Sequence, residues 1–249
     1  TFNNLTVLAN GSSFGRCFHF KNSADSNTVK NCNLVMPNIK SKSSINSYIA
    51  ITQGNTNPLS YGDPGEYISI DSNSMSSSTE GPYSGVIIVN ETSGTIKHEY
   101  HVTNNKIANW NNSGVRTYHV IDCDISNNEI YNTPSAISGT KYGIYLYSRK
   151  KGLGHKIKNN KIDSLSYATS NHSVYGIYAY SYLGSDTNDL IIEGNSIGFR
   201  HPYNSFGIYV YPISISSSEA KVVVHDNSIK MHYGGASTRQ VYSYGIYAN

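Results

Sequence analysis

Residues Tyr142–Ser148 read YGIYLYS, and the phrase returns as YGIYAYS at Tyr175–Ser181, FGIYVYP at Phe206–Pro212 and YGIYAN at Tyr244–Asn249. A second phrase alternates with it: NNKI from Asn104, NNEI from Asn127, NNKI from Asn159, GNSI from Gly194 and DNSI from Asp226. Two phrases in a fixed order, recurring every few tens of residues, are the mark of a solenoid.

Working outward from the second phrase, the anchor positions are Cys32, Asn73, Asn105, Asn128, Asn160, Asn195 and Asn227. Two residues after each anchor stands Leu34, Met75, Ile107, Ile130, Ile162, Ile197 or Ile229. Three residues before it stands Val29, Ile70, Val102, Ile125, Ile157, Ile192 or Val224. Apolar residues alternating with polar ones give a strand with one face buried. The step across the anchor turns the chain into a second short strand. Asn suits the anchor because it tolerates left-handed backbone angles and its amide can bond neighbouring backbone or the next Asn. Stacked coil on coil, the anchors would form an internal hydrogen-bonded ladder. Cys32 breaks that column at the first repeat.

The Gly-Ile-Tyr phrase supplies a third strand per coil, with equivalents at Gly85, Gly114, Gly143, Gly176, Gly207 and Gly245. Ile144, Ile177, Ile208 and Ile246 must face inward, with Leu146, Ala179 and Val210 beside them. Period two then sends Tyr145, Tyr178, Tyr209 and Tyr247 outward, with Tyr147, Tyr180 and Tyr211 as a second column. Arg116 and Tyr118 extend this face one coil back. The same parity points the glycines outward and Tyr142, Tyr175, Phe206 and Tyr244 inward. The segments between phrases read as loops, among them the one carrying Arg149-Lys150-Lys151.

Composition agrees. Tyr is the outlier at 22 of 249 residues, Asn, Ser and Gly are abundant, and helix formers are sparse, which favours strands and turns. A net charge of +3 is too small to suggest a nucleic-acid partner. No apolar run approaches the length of a membrane span, so no membrane insertion is expected. Cys17, Cys32 and Cys123 have neither metal-type spacing nor the pattern of a disulfide framework, and read as free thiols.

Three short strands per coil with inward apolar columns describe a right-handed parallel β-helix of about seven coils, roughly 35 Å long at the strand spacing of a sheet. It is expected to form one domain over residues 1–249, with residues 1–26 an irregular or incomplete first coil. The chain starts without Met and stops inside a repeat, so it is expected to be a piece of a longer protein. The NNxI phrases and their Ile and Val partners, covering about Asn27 to Asn249, resemble the pectin-lyase-like family of β-helix repeats. That resemblance implies the fold, and embraces lyases, hydrolases, phage tailspikes and adhesins.

In that family, saccharides commonly lie along the sheet equivalent to the Gly-Ile-Tyr strands. The expected carbohydrate-binding residues are therefore Arg116, Tyr118, Tyr145, Tyr147, Tyr178, Tyr180, Tyr209 and Tyr211. Tyr offers a flat apolar face for sugar C–H groups and a hydroxyl for sugar oxygens. Two other readings fit the same columns: a purely structural ladder of stacked strand residues, or a contact between subunits, as in a homotrimer. Catalysis is less expected. Hydrolases of this kind need closely placed carboxylates on the groove face, and the phrases Asn-Thr-Asp, Gly-His-Gly and Arg-Ile-Lys are absent. A lyase base would have to come from Arg116, His119 or the 149–151 run. Asp122 and Asp124, flanking Cys123 on one face of a strand, could bind a cation but read as solvent-facing carboxylates, and His98 with His101, three apart on a strand, face opposite ways and are discounted as a metal pair. The sequons at Asn4, Asn90 and Asn171 are expected by chance in so Asn- and Ser-rich a chain.

Together these features suggest a non-catalytic binder of polysaccharide or cell-surface glycan, at a cell surface, a virion surface or elsewhere outside the cell. It would resemble a tailspike or adhesin segment, and neither cofactor nor metal is expected. A polysaccharide-degrading enzyme and a fibre scaffold are the alternatives.

Overall fold

The computed structural model describes residues 1–39, 43–44, 46–54, 64–77, 81–90, 99–132, 139–152, 154–166, 172–183, 189–200, 204–213, 221–232 and 243–248. They form a right-handed parallel β-helix of three sheets, each of eight parallel strands, with successive strands passing from the first sheet to the second to the third. Right-handed crossover is the strong preference for parallel strands joined in this way. No helix among the described residues is long and apolar enough to cross a membrane.

Eight coils are present, one more than the sequence suggested. Phe2–Asn3, Thr6–Leu8 and Arg16–Phe20 pair with the next coil's three strands and complete a first coil. Its anchor position is held by Leu5, opposite Cys32, so an alignment keyed on Asn passes over it.

The two apolar columns flanking the anchors fall into register as expected: Val102 pairs with Ile70 and Ile125, and Ile130 with Ile107 and Ile162. From Val29 through Ile192 and from Leu34 through Ile197 they are buried in one continuous core. Between them runs the Asn ladder. Each side-chain amide donates to the next anchor's Oδ1, at 3.0 Å from Asn73 to Asn105, 3.1 Å from Asn105 to Asn128 and 3.0 Å from Asn128 to Asn160. It continues to Asn195 at 3.0 Å and Asn227 at 2.9 Å. Each amide also donates back to a first-sheet carbonyl one coil earlier, as Asn160 does to Ile125 at 2.8 Å. Cys32 joins only through its backbone N–H, 2.9 Å from Asn73 Oδ1.

The left-handed residue of this turn is not the anchor but the one before it: Asn4, Asn31, Ser72, Asn104, Asn127, Asn159, Gly194 and Asp226 all have φ between 53° and 67°. The dipeptide thus divides its work. The first residue takes the strained backbone, where Asn, Asp and Gly are cheapest, and the second supplies the ladder.

Lys141 and His155 are among the buried ionisable groups. Lys141 faces the interior at the start of a third-sheet strand, and burial lowers its pKa to about 8. His155 is 3% exposed, preceding the Lys156–Lys158 strand, and both of its ring nitrogens are buried without a hydrogen-bond partner. Burial lowers its pKa from 6.5 to about 4. Between those values the unfolded chain binds a proton that the folded chain refuses, so stability is full above about pH 6.5 and falls as the pH drops towards 4. The gap corresponds to about 3 kcal/mol. His155→Leu should remove most of this loss, measured by urea unfolding at neutral pH and near pH 4.5. Parallel pH dependence in the variant and the parent would contradict the assignment.

Candidate functional site: an aromatic face on the third sheet

The third sheet is built from Arg16–Phe20, Ser47–Ile51, Ser84–Val89, Ser113–Tyr118, Lys141–Gly152, Ser173–Leu183, Asn204–Ile213 and Ser243–Ala248. Tyr145, Tyr178, Tyr209 and Tyr247 stand in register, as do Tyr118, Tyr147, Tyr180 and Tyr211, and Arg116 pairs with Tyr145. Their rings point outward, as the alternation predicted.

The parity of the residues before them is reversed. The register runs from Tyr142–Tyr175 directly to Ile144–Ile177, leaving the glycine out of the paired positions. A Cβ on Gly143 would lie 2.5 Å from Ile162 Cγ2 and 2.6 Å from the carbonyl oxygen of Gly176. The glycine therefore faces the core, next to an isoleucine that also faces the core. This break in alternation repeats in register from coil to coil and re-aims the preceding residue, as a β-bulge does. Tyr142, Tyr175, Phe206 and Tyr244 consequently lie outside, not inside, and form a third column. In the second coil the inward glycine position is held by Tyr48, whose buried hydroxyl donates to the carbonyl of Ala108 at 2.9 Å. A search keyed on glycine misses that strand.

The three columns pack as one surface. Within the central column, rings stack at 5.1 Å with planes 3–12° apart. Tyr147 stacks on Tyr180 at 4.7 Å, and Tyr175 on Phe206 at 4.7 Å. The new column meets the central one edge to face, with Tyr142 to Tyr145 at 4.8 Å and Tyr175 to Tyr178 at 5.3 Å. Offset and T-shaped pairs are the favoured arrangements of aromatic rings. The ring faces are thus largely turned on one another, so ring edges and hydroxyls make up much of what a ligand would meet. This differs from the open ring faces expected from sequence. Burial raises the pKa of Tyr178 to about 12 and pushes Tyr142 and Tyr145 up as well. These three phenols therefore remain protonated donors throughout the physiological range.

One end of the face is sharply bounded. Going back from Arg116 the outward register positions are Ile87 and Ala50, and from Tyr118 it is Val89, all at most 1% exposed. Arg116 sits at the border. Its guanidinium carbon lies 4.9 Å from the Tyr118 ring centre, 5.0 Å from Tyr145 and 5.4 Å from Tyr83, within cation–π range. Nη1 donates to Asn112 Oδ1 at 2.9 Å, and Nε and Nη2 donate to the Tyr118 hydroxyl. Tyr118 is 8% exposed, so of the eight expected site residues it is the one placed under the surface.

The remaining candidates do not converge. Asp124 accepts from Ser126, and Asp122 lies in the preceding turn with φ 49°. His101 points outward from the first sheet, and His98 lies outside the described residues. The 149–151 run is not in a loop, because the Lys141–Gly152 strand continues through it. Sequence reasoning missed one group: Glu193, His225 and Asp226, whose ligand atoms lie within 4.8 Å of one another. They come from successive coils, so only the register unites them. Lys158 holds Glu193 at 2.7 Å, and His225 is 2.9 Å from Asp226, as in a solvated ion-pair cluster. Comparison with protein-family models, curated proteins and solved structures finds no match to this chain, so the chemistry of the site itself has to carry the functional reading.

Proposed function

We propose that this protein is a non-catalytic saccharide-binding β-helix, working at a cell or virion surface, or free outside the cell, and related to the pectin-lyase-like repeats. One observation supports this above the others. The third sheet carries three in-register aromatic columns on its outer face, yet none of its eight strands contains Asp or Glu. The acid pair that glycoside hydrolysis requires has no source on that sheet, while a repeating polymer is matched by a repeating surface. The rings recur every 4.7–5.2 Å along the axis, a spacing close to the rise of one pyranose residue in an extended chain. Stacking holds the hydroxyls in fixed positions before any ligand arrives, which lowers the ordering cost of binding.

A second reading draws on the width of the same patch, since large exposed aromatic surfaces often meet another protein. Here the face would be buried between subunits of a homotrimer. The double substitution Tyr178→Ala/Tyr209→Ala separates the two readings. If the face binds saccharide, the variant keeps the parent's mass by light scattering and loses at least about tenfold in retention on a panel of immobilised polysaccharides. Dissociation of a trimer in the variant would transfer the face to assembly. Unchanged retention with unchanged mass would leave the stacked rings a structural ladder alone.

A further inference from the structure

On the outer face of the first sheet the register places Lys158, Glu193 and His225 in one line, each from a successive coil. Glu193 and His225 stand directly opposite each other on adjoining strands, and Asp226 follows in the turn. Their ligand atoms lie within 4.8 Å of one another, the one such group of three or more His, Cys, Asp or Glu among the described residues. The register also sets His101 beside Asp124, without a third donor in range. Geometry divides the roles. A carboxylate can only accept, so Asp226 Oδ2, 2.9 Å from His225 Nδ1, fixes the hydrogen on that nitrogen. Nε2 keeps its lone pair and lies 3.9 Å from Glu193 Oε2. Two ligands of one ion, each bonded at about 2.0–2.1 Å, stand about 3–4 Å apart. A carboxylate on the far nitrogen of a metal-binding histidine is the common outer-shell arrangement. Glu193 Oε2 already draws a cation, Lys158 Nζ at 2.7 Å, but partly exposed pairs of this kind contribute little, so a divalent ion can displace the ammonium. The backbone beneath is fixed: the carbonyls of Glu193 and His225 accept from the ladder amides of Asn195 at 3.1 Å and Asn227 at 2.8 Å. Strands, not loops, therefore present both donors, which favours a defined site.

We propose that Glu193 and His225, with Asp226 orienting the imidazole, bind a divalent transition-metal ion of the zinc class that bridges two successive coils. Imidazole with carboxylate suits Zn2+ and its neighbours, whereas Mg2+ and Ca2+ prefer shells of oxygen alone. Solvent completes the coordination, since the three side chains are open to it. The donors come together only in the folded register, so the ion favours the folded state and clamps the coil of His225 to the coil of Glu193. The site lies on the first sheet and is independent of the saccharide-binding reading of the third.

Isothermal titration of the intact chain with zinc chloride, after chelator treatment and dialysis, tests this directly. Uptake at one site is expected, and His225→Ala and Glu193→Gln should each weaken it at least about tenfold. Lys158→Met should tighten it, because the competing ammonium is gone. These are surface side chains, so the variants should fold as the parent does, which far-ultraviolet circular dichroism checks. Calcium chloride should bind at least about tenfold more weakly than zinc chloride. Saturating zinc should raise the urea midpoint of the parent and not that of His225→Ala. In NMR the His225 Nε2 signal should move on zinc addition while Nδ1 stays protonated. Zinc uptake that survives unchanged in His225→Ala would place the ion on other side chains. Equal affinity for calcium would reduce the group to a solvated acidic patch, and no uptake at all would leave it an ion pair with Lys158. Any of these three results overturns the proposal.

Discussion

Asn160→Ala is expected to cost on the order of 4 kcal/mol, a large share of the 5–15 kcal/mol that holds a typical domain together. Asn160 is 1% exposed and joins three coils. Its Oδ1 accepts from the backbone N–H and the side-chain amide of Asn128, both at 3.0 Å. Its own amide donates to Ile125 O at 2.8 Å and Asn195 Oδ1 at 3.0 Å. Truncation leaves two donors of Asn128 without this acceptor and the Ile125 carbonyl without this donor, each buried where water does not reach. A buried group left unsatisfied costs about 1–3 kcal/mol. Asn160→Asp should be at least as damaging, because an oxygen replaces the amide nitrogen opposite two other oxygens and brings a buried charge. Lys161→Ala, one residue along, removes only an exposed pairing with Glu129 and should stay within about 0.5 kcal/mol. Denaturant unfolding of the three variants checks the ordering, and a loss below 1 kcal/mol for Asn160→Ala would show that the ladder is dispensable.

Gly176→Val is the second large effect, and its consequence is geometric as well as energetic. A Cβ at Gly176 would stand 2.5 Å from Ile197 Cγ2 on the core side and 2.6 Å from the Gly207 carbonyl on the adjoining coil. The first neighbour is a packed side chain and the second is backbone, so neither can give way cheaply. Overpacking of this kind costs about 3 kcal/mol or more. Gly176 has no positive φ, so the requirement is for space and not for a left-handed backbone. If the strand escapes by straightening, simple alternation returns and Tyr175 turns towards the core, breaking its 4.7 Å stack on Phe206. Near-ultraviolet circular dichroism should therefore fall along with stability. Gly245 is the matched control, since a Cβ there meets nothing within 4 Å. Gly245→Ala should be close to neutral, and equal damage at both positions would contradict the close-packing account.

The contrast between these two sites shows what the sequence made legible. The apolar columns and the Asn anchors could be read from spacing alone, because one fixed offset served the repeats and every anchor from Asn73 to Asn227 is Asn used for one purpose. The left-handed position was harder to place. Asn occupies both halves of the turn at Asn104-Asn105, Asn127-Asn128 and Asn159-Asn160, so composition does not say which half takes the strain. Ser72, Gly194 and Asp226 carried that information, as residues suited to strained turns but lacking the ladder amide.

On the aromatic face, the outward columns beginning at Tyr145 and Tyr147 followed from period two. The column beginning at Tyr142 did not, because the glycine breaks the period, and that break depends on an isoleucine roughly twenty residues away in sequence. Parity points Phe206 to the interior, whereas it packs in an outer stack that needs no hydroxyl at that rung. The first coil and the Ser47–Ile51 strand were obscured by Leu5, Cys17 and Tyr48 standing where later coils have Asn or Gly. The absence of Asp and Glu from all eight strands of the third sheet emerges only once the register assembles them, because a linear reading scatters those strands along the chain.

The most direct test of the central claim, that the outer face of the third sheet is a ligand surface, is a residue-resolved NMR titration of tyrosine ring signals with the polysaccharide that the chain retains best. The account predicts that signals of Tyr145, Tyr178 and Tyr209 shift together with those of Tyr147, Tyr180 and Tyr211, while Tyr48 and Tyr100, buried in the core, stay in place. Binding that leaves the six outward rings unmoved and shifts residues of the first or second sheet would contradict it.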